Sequence, residues 1–385
     1  MKARDIASLQ PLNQRPPCLA FLIICAIVSI MLEEDNLDDA IAPAGIVLAQ
    51  AGLPDETAAV WLIQSGRALP LQTWARRWPC ARFASVTDLI THWGSINAEL
   101  RRLVELPQTS ATISEGGVPV ASLRLEAPFQ PTQVFCTIGN YRRQIIEAAV
   151  DAGDPADAVQ LAATTTRALN QRHRDGSPYI CLTSNDRVGP AVGELALEAD
   201  VDTLDWEVEI GAVIGSSGSR LTLPEAEAVI AGYCVVNDLT IRSRIVRPDL
   251  PALASDWLQC KGMRGSLPLG PWFVPAWQVP DPSALRLQLS LNGSPMQDDT
   301  ADDMVFTIPE QLSYLSQHTR LRPGDLLCTG SPAGFGIHHG RFLRAGDTLR
   351  ASVTGLGEQN TRFVGPRYFP SQSHSNLAVS GLTTT

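Results

Sequence analysis

What this sequence lacks narrows the field first. It has no run of lysine and arginine, and its formal net charge is −10, which argues against a nucleic-acid partner. Its eight cysteines, at 18, 25, 80, 136, 181, 234, 260 and 328, form no Cys-x-x-Cys pair and no Cys/His cluster at zinc spacing. Several stand in apolar strand-like runs, as Cys234 does in GYCVVND. That is how buried free thiols of a cytoplasmic protein read. No internal repeat is visible, and helical periods are few. The apolar run CLAFLIICAIVSIML, Cys18 to Leu32, is short for a membrane-spanning helix but long enough for a signal-peptide core. The acidic stretch EEDNLDD that follows argues against export. Residues 1–43 are therefore read as either an apolar leader or a start-site artefact upstream of Met31.

Glycine and proline, in contrast, are abundant: 29 and 28 in 385 residues, with 44% hydrophobic and 18% charged residues. Such a chain can bury a large core, and its many turn residues favour a β-rich α+β architecture over a helical bundle. Residues 44–119 read as a small N-terminal α+β module. In it AAVWLIQSGRALPL forms a hairpin turning at Ser65-Gly66, and SVTDLITHWGSINAELRRLVEL forms a helix capped by Ser85 or Asp88. Residues 128–369 read as the main domain. It opens with a strand, a Gly-Asn turn and a helix from Tyr141 to Asp151, followed by a polar, mobile stretch to Asp175. Short strands between Gly/Pro turns make up most of the rest, with LPEAEAVIAG as the clearest later helix and Pro224 in its first turn. Residues 370–385 read as a disordered tail.

The chemistry is concentrated in a few stretches. In DWEVEI, residues 205–210, Asp205, Glu207 and Glu209 alternate with Trp206, Val208 and Ile210. A period of two is that of a strand, with the three acids on one face. Carboxylates two apart lie roughly 6 to 7 Å from one another and repel unless something positive lies between them. Downstream, an apolar strand ends in Asn237-Asp238 with Arg242 four residues on, and Lys261 stands in CKGMRGSLPLGPW. A hairpin turning at Asn292-Gly293 leads to a polar patch from Gln297 to Asp303. Finally Thr329-Gly330-Ser331-Pro332-Ala333-Gly334 offers bare backbone to a ligand. Oxygen donors beside apolar runs suit a hard cation such as Mg²⁺, Mn²⁺ or Ca²⁺, not zinc.

In this order DWEVEIGAVIG, GYCVVNDLTIR, KGMRGSLPLGPW, NGSPMQDDTADDMVF and PGDLLCTGSPAGFG resemble the fumarylacetoacetate hydrolase family, over roughly residues 128–355. The resemblance implies a roll of mixed β-sheets around the site, a homodimer, and a metal held by Glu207, Glu209 and Asp238, with Mg²⁺ or Mn²⁺ as the ion. Asp205 is the weaker candidate, second to the ligands or solvated. Lys261 matches the family's active-site lysine, and Ser331 matches the second hydroxyl of its T-G-T-P loop. Tyr141, Arg242, Gln297, Thr329 and Gly330 are the further expected substrate contacts. The implied activity is hydrolysis of a carbon–carbon bond in an acylpyruvate-like or β-dicarbonyl small molecule, through an enolate held on the metal. Decarboxylation, isomerisation or hydration of a related 2-oxo acid, and binding without turnover, are the alternatives.

One departure bears on the mechanism. Where many members carry N-Y-x-x-H-x-x-E, with histidine and glutamate activating water, this chain has Gln144 in the histidine's place and Glu147 as the acid. Glutamine can orient water but cannot accept its proton at neutral pH. Glu147, one helical turn from Gln144, is the first candidate base, and His338 of GFGIHHGRF is the second. Either Arg242 or Arg142 can take a substrate carboxylate.

Overall fold

The computed structural model describes residues 43, 45–250, 252 and 255–366. The apolar run 18–32 and the tail 370–385 lie outside them. Among the described residues, no helix is long and apolar enough to cross a membrane.

The chain begins with a five-stranded sheet of β1 (Val47–Gly52), β2 (Ala59–Gln64), β3 (Arg67–Pro70), β4 (Val118–Pro119) and β5 (Arg124–Leu125), in the order β4-β3-β2-β1-β5. β2 and β3 form the expected hairpin; Ser65 and Gly66 both take positive φ (48° and 73°), as a two-residue primed turn requires. The single helix expected after them is two, α1 (Val86–Thr91) and α2 (Trp93–Val104), which meet at His92. Ser85, not Asp88, caps the first by accepting the Asp88 N–H. A further helix, α3, spans Pro107–Gly116.

The central sheet draws its strands from the rest of the chain: β6 (Val134–Thr137), β7 (Ile180–Thr183), β8 (Val188–Pro190), β11 (Val208–Ile214), β12 (Ile230–Asn237), β14 (Leu267–Leu269) and β18 (Leu326–Cys328). Their order is β7-β6-β18-β11-β12-β14-β8, with β15 (Val274–Pro275) beside β12. A third sheet runs β17 (Ser294–Thr300), β16 (Arg286–Leu291), β19 (Thr348–Val353), β20 (Gly357–Val364) and β9 (Val192–Ala196). A short ribbon pairs β10 (Leu204–Asp205) with β13 (Thr240–Ile241).

Both faces of the central sheet are covered, so β11 and β12 are buried at every position. This explains their near-continuous apolar runs. One face, with Ile210, Ala212 and Val235, packs on Leu289, Ala351 and Phe363 of the third sheet. The other, with Val213, Val236 and Leu326, packs on Leu48, Leu62, Ile90 and Trp93 of the N-terminal region.

Two helices cross the site. The first, α4 (Arg142–Asp151), begins one residue later than expected. The segment expected to be polar and mobile is instead the helix α5 (Ala158–Asp175). Leu169 anchors it against Val305 and Phe306, with Ile145 and Ile146 of α4 alongside. Beyond them come α6 (Leu223–Ala228), closed by a Thr222/Glu225 capping box, α7 (Trp257–Lys261) and α8 (Ile308–His318).

Candidate metal centre and active site

The acidic run that reads as one strand is broken. β10 ends at Asp205 and β11 starts at Val208, so Trp206 and Glu207 lie in a non-strand step. The break separates the three acids. Glu207 and Glu209 converge with Asp238, which follows the end of β12. One carboxylate oxygen from each lies within 4.8 Å of the others, and all three side chains are buried. Asp205 is also fully buried, but it faces elsewhere. Its carboxylate accepts the backbone N–H groups of Trp206 (2.8 Å), Gly336 (2.7 Å) and Ile337 (3.0 Å), and the Nε of Arg242 (2.8 Å). It is an anchor for the loop after β18, neither solvated nor one of the converging acids.

Three cations, Lys261 and Arg187 buried and Arg242 partly so, balance this centre. Lys261, at the end of α7, donates Nζ to Asp238 Oδ2 (2.5 Å), Thr240 Oγ1 (2.7 Å) and Glu207 Oε2 (3.2 Å). Arg242 places Nη1 2.7 Å from Glu207 Oε1 and stacks its guanidinium 4.6 Å from the Phe335 ring centre. The third, Arg187, is completely buried, with Nη1 2.6 Å from Asp238 Oδ1 and further bonds to Ser266 Oγ and Leu239 O. Burial alone would raise the Asp238 carboxyl, but Arg187 and Lys261 hold it down at about 2. Burial alone would lower the Lys261 ammonium; Asp238 and Glu207 outweigh that and keep it above its ordinary range.

Glu209 differs. It accepts the Gly330 N–H (2.9 Å) and has no ion pair among the described residues. Burial first, then Asp238 and Glu207, pushes its carboxyl well above the usual range. A divalent cation among these three carboxylates would supply the missing positive charge, and an all-oxygen donor set suits Mg²⁺ or Mn²⁺. The residues fit such an ion.

The other expected site residues divide into those that build the pocket and those that face it. Gln297 is a brace: its Oε1 accepts the Val208 N–H (3.1 Å), and its Nε2 donates to Ser331 Oγ (3.0 Å) and Pro332 O (2.7 Å). Thr329 spends its hydroxyl on Ile210 O (2.9 Å). Gly330 adopts φ 97°, which its lack of a side chain permits. Arg242 Nη2 and the Tyr141 hydroxyl are buried without a protein partner. Arg142 donates to Asn170 Oδ1 on α5 (3.0 Å) and so is tied within the helical pair.

On α4, Gln144 is partly buried. Glu147 Oε2 accepts the Gly334 N–H (2.9 Å), and His338 Nε2 lies 3.8 Å from it. The other ring nitrogen of His338 is 2.6 Å from Asp151 Oδ2. His173 contacts Glu310 (3.2 Å) and Phe306 instead. Sequence reading missed Arg187, Thr240 and Asp151. Thr240 lies in the quoted NDLTIR stretch, two residues after Asp238; Arg187 carries no local signal.

The family described as fumarylacetoacetate (FAA) hydrolase C-terminal matches residues 133–364. A Burkholderia cenocepacia (strain HI2424) protein with a provisional hydrolase name is 40% identical over 161 residues, 41% of this chain and 55% of that protein. The chain thus spans little more than half the length of the curated relatives it matches. Among solved structures, a Mycobacterium smegmatis protein provisionally named HpcE is 26% identical, with a TM-score of 0.64 over 83% of this chain and 99% of that one. Fumarylpyruvate hydrolase from Pseudomonas aeruginosa, in complex with Mn²⁺ and pyruvate, is 28% identical, with a TM-score of 0.50 over 63% of this chain and 91% of that one. With a match over more than half its length and the carboxylate centre in place, this chain belongs to the fumarylacetoacetate hydrolase family.

Proposed function

We propose that this chain is a divalent-metal-dependent enzyme that hydrolyses a carbon–carbon bond in an acylpyruvate-like or β-dicarbonyl acid. The observation that carries the reading is the convergence of Glu207, Glu209 and Asp238 in a buried pocket that also holds Lys261 and Arg242. The Mn²⁺ and pyruvate of the Pseudomonas aeruginosa relative support it. Glu207, Glu209 and Asp238 would hold Mg²⁺ or Mn²⁺, which when bound polarises neighbouring substrate oxygens and offsets enolate charge. Arg242 offers its unpartnered Nη2 to the substrate carboxylate. Lys261 fixes positive charge where negative charge develops. Gly330 and Ser331 are the loop residues that would meet the substrate.

The base is the Glu147–His338 pair. Asp151, on the Nδ1 side of His338, favours the tautomer with its proton there, leaving Nε2 to take a proton from water on the Glu147 side. Water adds to the acyl carbon, its proton passes to this pair, the carbon–carbon bond breaks, and the released enolate is reprotonated. His338 thus stands in from another loop for the histidine that Gln144 replaces. A homodimer in the cytoplasm belongs to the same reading.

Proton NMR of the full chain with acetylpyruvate in heavy water, with Mn²⁺ or Mg²⁺ and with a chelator, tests this. Acetate and pyruvate formed only with metal is the expected result. Methylene deuteration without cleavage would favour the isomerase or decarboxylase reading that Gln144 suggests. A melting temperature unmoved by saturating Mn²⁺ would sink the metal centre itself, because a ligand at about 100 times its Kd stabilises by about 2.7 kcal/mol.

A further inference from the structure

The strand registers place four cysteines in one row. Cys181 on β7 faces Cys136 on β6, and Cys136 faces Cys328 on β18. Cys328 faces Gly211 on β11, which faces Cys234 on β12. Residues paired across neighbouring strands project to the same face. The row therefore crosses the sheet on the face that carries Glu209, one side-chain repeat behind it along β11.

The members are not equivalent. Cys234 donates to the Gly211 carbonyl (3.8 Å), with the bare glycine between it and the others. The register sets the Cys136 side chain between those of Cys181 and Cys328, and its thiol lies 3.8 Å from the Thr183 hydroxyl. Cys136 and Cys328 are buried, whereas Cys181 is partly exposed on β7, an edge strand of the sheet. Facing residues of an antiparallel pair have Cα atoms about 4.5–5.5 Å apart, inside the span a disulfide bridges. The pair also has a distinctive place in the chain: residues 137–180, between the two thiols, contain both α4 and α5.

We propose that Cys136 and Cys181 are a reversible redox site, oxidised by a hydroperoxide to a disulfide that ties together the two ends of the α4–α5 segment. The sulfur of the partly exposed Cys181 attacks a peroxide oxygen; the O–O bond breaks, water leaves, and Cys181 becomes a sulfenic acid. The Cys136 sulfur then attacks the Cys181 sulfur; the S–S bond forms, the S–O bond breaks, and the oxygen departs as water with the thiol proton. Two thiols lose two electrons and two protons, and one hydrogen peroxide becomes two waters. The metal chemistry proposed above has no part in these steps, so the site stands or falls separately from it.

Arginines separate the three neighbouring thiols, so trypsin places Cys136, Cys181 and Cys328 on different peptides. The full chain is treated with a few equivalents of hydrogen peroxide, denatured in N-ethylmaleimide, digested without reduction and mapped by mass spectrometry. The expected main product links the Cys136 and Cys181 peptides. It should disappear with dithiothreitol and in Cys181→Ser, a variant whose partly exposed position should leave the reduced protein's melting temperature unchanged. A Cys136–Cys328 link, or Cys181 carried to the sulfinic acid while Cys136 remains alkylated, would overturn the proposal. On oxidation, digestion within α5 should leave its fragments joined to β6 until reductant is added.

Discussion

The two walls of the candidate site, both bonded to the loop after β18, are built on different principles. The carboxylate wall is buried but for the partly exposed Arg242, and all its charges except Glu209 are locked in pairs: Arg187 with Asp238, Lys261 with Asp238 and Glu207, Arg242 with Asp205 and Glu207. The α4 wall opens to solvent at one end only, since Glu147 and His338 are partly buried. Asp151 is 49% exposed, and Glu147 meets His338 across 3.8 Å, too far for a hydrogen bond. Charges in a dry, paired setting cannot be altered one at a time without leaving a partner stranded. Groups at a solvated edge can change protonation with little structural cost. Binding on one wall and proton transfer on the other is the division this difference favours.

Substitutions can break that contrast. Asp238→Asn strands both Arg187 and Lys261, so it should cost about 3–5 kcal/mol in urea unfolding. It should also abolish the rise in melting temperature with Mn²⁺. A near-native urea midpoint would show that the carboxylate wall is not the interlocked unit described. His338→Asn probes the other wall: turnover should fall about 10²- to 10⁴-fold, while stability stays within about 0.5 kcal/mol of wild type. Adding Gln144→His to that variant should return part of the lost rate, by restoring an imidazole one helical turn from Glu147. Unchanged turnover in His338→Asn would leave Glu147 as the sole base.

The smallest effect concerns an ion pair that ties α4 to β17. Asp299 on β17 holds the exposed Arg143 of α4 at 2.9 Å. Burial pushes its carboxyl up to about 6. A carboxyl raised above its unfolded value stabilises the fold below that unfolded value, and this contribution is lost as pH rises through about 6. Asp299→Asn should therefore be more stable than wild type at pH 7.5, with the gain fading toward pH 4. Solvent screening on the Arg143 side limits it to the order of 1 kcal/mol. Melting curves across that range measure it, and a gain that grows on acidification would reverse the assignment.

Which residues could be read from the sequence follows from how they are placed. Glu207 lies one residue before β11, Glu209 within it and Asp238 one residue past β12, so the antiparallel pairing of two legible strands sets them together, and Lys261 follows in a recognisable stretch. Arg187 reads as one polar turn residue in SNDRVGP. It reaches Asp238 only because β8 pairs in parallel with β14, some eighty residues away. The partnership of His338 with Asp151 is also purely tertiary. The helix α5 is hidden in the sequence because its polar run buries little beyond Leu169, and that side chain rests on Val305 and Phe306, far along the chain.

The charge inventory of the carboxylate wall has a consequence for the order of binding. Four acids, Asp205, Glu207, Glu209 and Asp238, face three permanent cations, Arg187, Arg242 and Lys261. The formal balance is one negative charge with Glu209 ionised and zero while its raised carboxyl holds a proton, so the site without metal offers an organic anion no attraction. A divalent ion reverses the sign and leaves one positive charge, the complement of a single carboxylate. On the proposed reading a divalent ion would therefore bind ahead of the substrate, and a monoanion would be the complement of the filled site.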